Sequence, residues 1–170
     1  MTDFKPDQDT RVVMDVDVAN TIEYWFGAWN IAYNTGAFAA GNDGSGVYIG
    51  YDDQGGTLAP LVNNGRHTVE MDKNAWKVDG TAVHTFNYTA FSVNYNLVLF
   101  GQNRGGYVHC PSKSNIVKLY SAKIYDNGTL VRDFVPSVDS LGAEGLYESI
   151  ESIFYYKDGT SKPVTPPDPE

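Results

Sequence analysis

The sequence predicts an all-β domain, a sandwich or a barrel, and three observations lead there. Apolar residues recur with a period of two in several short runs, turn-forming pairs separate those runs, and no stretch of ten or more residues keeps a helical period. The composition, with 17 Gly, 12 Tyr, 8 Phe and 3 Trp and only 19% charged residues, favours strands and turns over helices. A chain of 170 residues suits one domain. At that size about 70% of its surface can be buried on folding, so a core forms without disulfide or metal.

The first strand is Arg11 to Val18, where Val12, Met14, Val16 and Val18 alternate with Val13, Asp15 and Asp17, which puts the first set on a buried face. The aromatic run Tyr24 to Trp29 lacks helical spacing and suits a strand covered on both sides. Gly36 to Gly46 holds four glycines and reads as strand fragments joined by mobile turns, and Val47 to Tyr51 as a short strand. Arg66 to Asp72, Ala75 to Val78 and Thr81 to Phe86 form a meander, turned at Lys73-Asn74 and by the hairpin pair Asp79-Gly80. Ile116 to Asp126 and Thr129 to Val135 flank Asn127-Gly128, whose tolerance of positive φ at both positions matches a type I′ turn. The domain spans residues 1–159. Residues 160–170 form a Pro-rich tail or linker, since four of the eight prolines fall at 163, 166, 167 and 169.

Twelve Lys and Arg face 21 Asp and Glu, a net charge of −9, and no basic run exists to neutralise several phosphates, so neither nucleic acid nor an anionic membrane is an expected partner. Apolar stretches such as Leu97 to Phe100 fall far short of a membrane span, and the polar residues after Met1 do not resemble a signal peptide. Cys110 is the single cysteine and reads as a small apolar residue.

Gly65-Arg66-His67-Thr68-Val69, Trp76-Lys77-Val78-Asp79-Gly80, Leu97-Val98-Leu99-Phe100-Gly101 and Ile116 to Asp126 follow one another in an order that resembles the laminin G-like or concanavalin A-like jelly roll. Leu130 to Pro136, Gly145-Leu146-Tyr147-Glu148 and Phe154-Tyr155 resemble the C-terminal signature of the version found in bacterial surface and phage virion proteins. The resemblance covers roughly Phe4 to Gly159. It implies two antiparallel sheets packed face to face, N- and C-terminal strands close together, and an extracellular, cell-surface or virion setting. Because that superfamily holds lectins, adhesion domains and glycosidases, function has to come from a site.

The resemblance implies that hydrolases of this fold carry Glu-x-Asp-x-x-Glu, or close variants, on one strand; the nearest arrangement here, Asp15-Val16-Asp17, lacks both glutamates, so no enzyme is expected. His67, His84 and His109 lack metal-ligand spacing, and no nucleophile-elbow or phosphate-loop string occurs. No cofactor is expected. Calcium is the minor alternative: Asp43, Asp52 and Asp53 bracket one short strand as candidate ligands, against the favoured reading of Asx-turn chemistry.

The predicted ligand site belongs to the 101–109 loop, where Asn103, Arg104, Tyr107 and His109 surround two glycines, joined by Trp29 and Tyr51 as stacking faces. Tyr33 is a further aromatic candidate. The expected function is a non-catalytic module that binds a glycan or cell-surface ligand. The alternative is a structural or decoration domain that binds other subunits of a virion or fibre.

Overall fold

The structure, a computed structural model, describes residues 2–18, 23–30, 35–60, 62–109, 118–156 and 160–164. Among them no helix occurs, and the strands run β1 (Arg11–Val18), β2 (Glu23–Asn30), β3 (Thr35–Asn42), β4 (Val47–Tyr51), β5 (Gln54–Ala59), β6 (Gly65–Asp72), β7 (Ala75–Val78), β8 (Thr81–Thr85), β9 (Val98–Leu99), β10 (Gln102–Arg104), β11 (Tyr107–His109), β12 (Lys118–Asp126), β13 (Thr129–Val138), β14 (Glu144–Glu148), β15 (Ile153–Tyr156) and β16 (Ser161–Pro163). They form two sheets. The larger has the order β16-β15-β14-β13-β12-β1-β6-β7-β8; the smaller runs β11-β10-β2-β3-β4-β5, with β9 also on β2. All pairs are antiparallel except β10 with β2.

β1 lies in the interior of the larger sheet, between β12 and β6, and its period-two pattern gives it one wholly apolar face: Val12, Met14 and Val16 are 0% exposed and Val18 2%. That face meets the smaller sheet across one core, joined by Trp25, Phe26, Phe38, Ile49 and Tyr51. In β2 a register shift between Tyr24 and Phe26 interrupts the alternation, so the neighbours Trp25 and Phe26 both enter the core. Trp25 stacks on Trp76 of the opposite sheet with ring centroids 5.4 Å apart and planes 4° from parallel. The two predicted hairpins form with positive φ at both turn residues, Asp79 (50°) and Gly80 (76°), then Asn127 (45°) and Gly128 (82°).

Three expectations need correction. The 36–46 segment is not a set of fragments: Thr35–Asn42 is one eight-residue strand, with Phe38 and Ala40 in the core. Small residues there serve close approach by neighbouring side chains, not mobility. The 101–109 loop is a hairpin of β10 and β11, turned by Gly105 and Gly106 at φ 63° and 88°. In the segment expected to be a tail, Ser161–Pro163 pair with β15 as an edge strand, the place in a sheet where proline is tolerated. Residues 165–170, Tyr33, Cys110, Ile116 and Val117 lie outside the described residues.

Beyond the core, the turn after β14 is built on Glu148, which is 0% exposed and accepts hydrogen bonds from the backbone N–H groups of Asp133, Ile150 and Glu151.

Candidate functional site

The candidate site lies on the outer face of the smaller sheet. Gly27, Ala39, Gly50 and Gly55 are opposite one another on β2, β3, β4 and β5, so a row without a side chain beyond Cβ crosses four strands. Larger side chains lie in this furrow. A Cβ added to Gly27 would stand 2.7 Å from Cγ of Gln102, and one added to Gly55 would stand 3.2 Å from the Tyr48 hydroxyl. Tyr48 leans in from β4, and Trp29 stacks on it with centroids 5.7 Å apart.

β10 adds the charge. Arg104 is in register with Trp29 and sets its guanidinium 4.7 Å from the indole centroid, a cation–π contact. Its Nε and Nη2 both donate to Oε1 of Gln102, at 2.9 and 2.6 Å. These two bonds fix the amide orientation, because only the oxygen can accept from a guanidinium. Gln102 Nε2 then points away without a hydrogen-bond partner, in a side chain that is 0% exposed. Burial raises the pKa of the Tyr48 phenol, and the Arg104 charge opposes that rise.

The hairpin carries two more of the predicted residues to the same face. Tyr107 is directly opposite Arg104 and His109 directly opposite Gln102, and cross-strand partners share a side of the sheet. Tyr107 is 75% exposed. The His109 ring lies 5.9 Å from Tyr24, and Tyr24, Gly41 and Tyr48 form the adjoining row.

Trp29, Arg104, Tyr107 and His109 are thus brought together, while Asn103 and Tyr51 are not with them. Asn103 alternates to the other side, where it donates to the Asn96 carbonyl and accepts from the Gly106 N–H, each at 3.0 Å; it shapes the hairpin. Tyr51 shares the inner face of β4 with Val47 and Ile49, is 0% exposed, and packs against Phe86 and Phe91, so it has no face to offer a ligand. Gln102 lies within the predicted 101–109 loop, whereas Tyr24, Tyr48 and the row of small residues are outside the expected set. The alternation of β4 marks Tyr48 as the outward residue once Val47, Ile49 and Tyr51 are taken as inward.

The calcium candidates do not converge. Asp43 precedes β4 and Asp52-Asp53 follow it, and a strand of five residues spans about 17 Å. Asp43 is committed to its own turn: Oδ1 accepts from the Ser45 N–H, the Ser45 hydroxyl and the Gly46 N–H, and Oδ2 from the Thr57 hydroxyl. The Thr57 bond leads these in holding its pKa down, to about 2. That contribution is complete above the ordinary carboxylate range and is lost as pH falls through about 2. Asp52 accepts from the Gly36 N–H at 3.0 Å. Among the described residues no group of three or more His, Cys, Asp or Glu is placed to hold a metal ion. The melting temperature is therefore expected to be the same in millimolar calcium and in EDTA; a rise of several degrees with calcium would restore the site.

Elsewhere, Asp15 is held by Arg66 in a two-pronged ion pair, Nε to Oδ1 2.8 Å and Nη2 to Oδ2 2.7 Å, which lowers its pKa. It faces away from the core on the larger sheet. A groove of about 340 Å³ opens between the edge strands β5 and β8, lined by Asp53, Gln54, Leu58, His84, Phe86 and Asn87. Gln54 spends its amide there by closing the sandwich, donating to the Asn87 carbonyl and accepting from the Asn87 N–H, each at 3.0 Å. No protein-family model, curated protein or solved structure matches the chain.

Proposed function

We propose that the chain is a non-catalytic carbohydrate-binding module of jelly-roll type, resembling laminin G-like and concanavalin A-like domains, whose ligand lies across the outer face of the smaller sheet. One observation carries the reading: Trp29, Tyr48 and Tyr107 share that face with Arg104 and Gln102. Sugar rings present C–H patches that pack on aromatic surfaces, and their hydroxyls need directional donors beside those surfaces. Both kinds of group stand within a few strands of each other here, on a rigid sheet. The jelly-roll assignment draws on the position of β1 between β6 and β12, which sets an N-terminal strand beside a C-terminal one. A cell-surface or virion setting, with the module carried on a larger protein, accords with this role.

The test is affinity electrophoresis or a glycan array with Tyr107→Ala and Trp29→Ala. Both variants are expected to lose retention on the best glycan at least tenfold. Tyr107→Ala should keep its stability within about 0.5 kcal/mol, as an exposed position does. Full retention by both variants would move the ligand off this face. Failure of every saccharide to bind would favour the subunit-binding alternative.

A further inference from the structure

The chain has four arginines, and three of them have carboxylate partners: Arg11 pairs with Glu70 at 2.7 Å, Arg66 with Asp15 at 2.7 Å, and Arg132 with Asp3 at 2.6 Å. Arg104 differs. Among the described residues it has no carboxylate within ion-pair distance; it is held by a neutral amide oxygen and by the face of Trp29. In a chain where acids outnumber bases by 21 to 12, an arginine left without an acid is a departure from the local rule.

The geometry of its two bonds says which part of the guanidinium is left. Nε and Nη2 converge on one oxygen, so the side-on edge is spent. Of the five N–H donors, three remain, and two of them form the parallel end-on fork of Nη1 and Nη2. That fork matches the spacing of a carboxylate's two oxygens. Gln102 Nε2 adds a second donor without a partner, and it is shut from solvent in the free protein. An acceptor group therefore engages it only after a small side-chain shift, and recovers on binding part of what the empty site leaves unsatisfied. Both vacancies are donors, so the complementary ligand is rich in acceptors and carries negative charge.

Building on the carbohydrate-binding reading above, we propose that the ligand is an acidic saccharide whose sugar carboxylate takes the end-on fork of Arg104 while an adjoining ring packs on the Trp29, Tyr48 and Tyr107 surface. The net charge of −9 opposes such a ligand at long range. Salt screens that repulsion beyond about 8 Å at physiological strength, so recognition rests on the contact itself. A uronic or sialic acid residue supplies the carboxylate; neutral hexose polymers do not.

The experiment measures binding of the full chain by titration calorimetry to oligogalacturonate and to the same oligosaccharide after reduction of its carboxyl groups, and in parallel to sialyllactose and lactose. The expected result is that at least one acidic probe binds roughly 10- to 100-fold tighter than its neutral counterpart, the range of a hydrogen bond to a charged group. Arg104→Gln is expected to shrink that preference to within about twofold, and Arg104→Lys, which keeps the charge and removes the fork, to restore only part of it. Equal affinity for the acidic and neutral members of both pairs overturns the proposal and leaves the carbohydrate-binding reading standing. A preference that persists in Arg104→Gln also overturns it. If none of the four probes binds, this proposal is overturned, while the carbohydrate-binding reading is decided separately by the glycan array. The first comparison uses the wild-type protein alone, so it holds even if a variant folds poorly.

Discussion

Val16→Asp is expected to abolish the cooperative unfolding transition of the domain near room temperature. Val16 is 0% exposed on an interior strand of the larger sheet, with His67 of β6 opposite on one side and Leu119 of β12 on the other. Hydrogen bonding to two neighbours leaves the backbone no way to rotate a new carboxylate out to water. The side chain must either stay charged beside the core residues Met14 and Val69 or take up a proton and remain a buried polar group. Each course costs several kcal/mol, against a total stability of about 5–15 kcal/mol for an ordinary domain. Asp17→Ala, one position on and facing outward, should change stability by no more than about 0.5 kcal/mol. Circular dichroism melts of the two variants check both statements. A melting temperature for Val16→Asp close to that of wild type would show that the β1 register is misplaced.

The second large effect concerns the ring pair that joins the sheets. Trp76→Ala removes a fully buried indole stacked on Trp25 and should cost about 3–5 kcal/mol, the usual range for truncating a buried aromatic. Trp76→Phe should cost distinctly less. The Nε1 donor of Trp76 is buried without a hydrogen-bond partner, so phenylalanine gives up no bond and removes an unsatisfied group while keeping a ring against Trp25. Chemical denaturation of the three proteins, compared at constant m-value, reads the order directly. Equal losses for Ala and Phe would show that the ring phenylalanine keeps against Trp25 contributes nothing to stability.

Period-two patterns and turn pairs made the larger sheet readable. Arg11–Val18 was recovered with its inward set, and the 66–86 meander and the Asn127-Gly128 hairpin followed from residues whose conformational preferences are strong. The smaller sheet was harder because its logic is inverted. Gly36 of β3 makes room for the Asn30 side chain, while Gly27 of β2 and Gly55 of β5 make room for Gln102 and Tyr48, and only the neighbouring strands reveal that. The same reason limited the site. Arg104 and Tyr107 are legible as a charged and an aromatic residue beside glycines, but the contact of Arg104 with Trp29 depends on β10 pairing in parallel with β2, which no local pattern encodes. Tyr51 was legible and misassigned: its alternation with Val47 and Ile49 already placed it inward.

The placement of β1 between two late-arriving strands also governs how the chain reaches its fold. Val12 sits opposite Met71 on one side and Ile124 on the other, so the centre of the larger sheet joins segments far apart in sequence. During synthesis at 5–20 residues per second, β6 can dock roughly 3–10 s before β12 emerges. For that interval β1 presents an unpaired edge, next to a half-covered apolar face, to every other nascent chain nearby. Such long-range closure is slow, and slow closure leaves time for association. A ribosome-arrested chain ending before β12 is therefore expected to aggregate more readily than one that extends through Val138, which supplies the hairpin that covers β1.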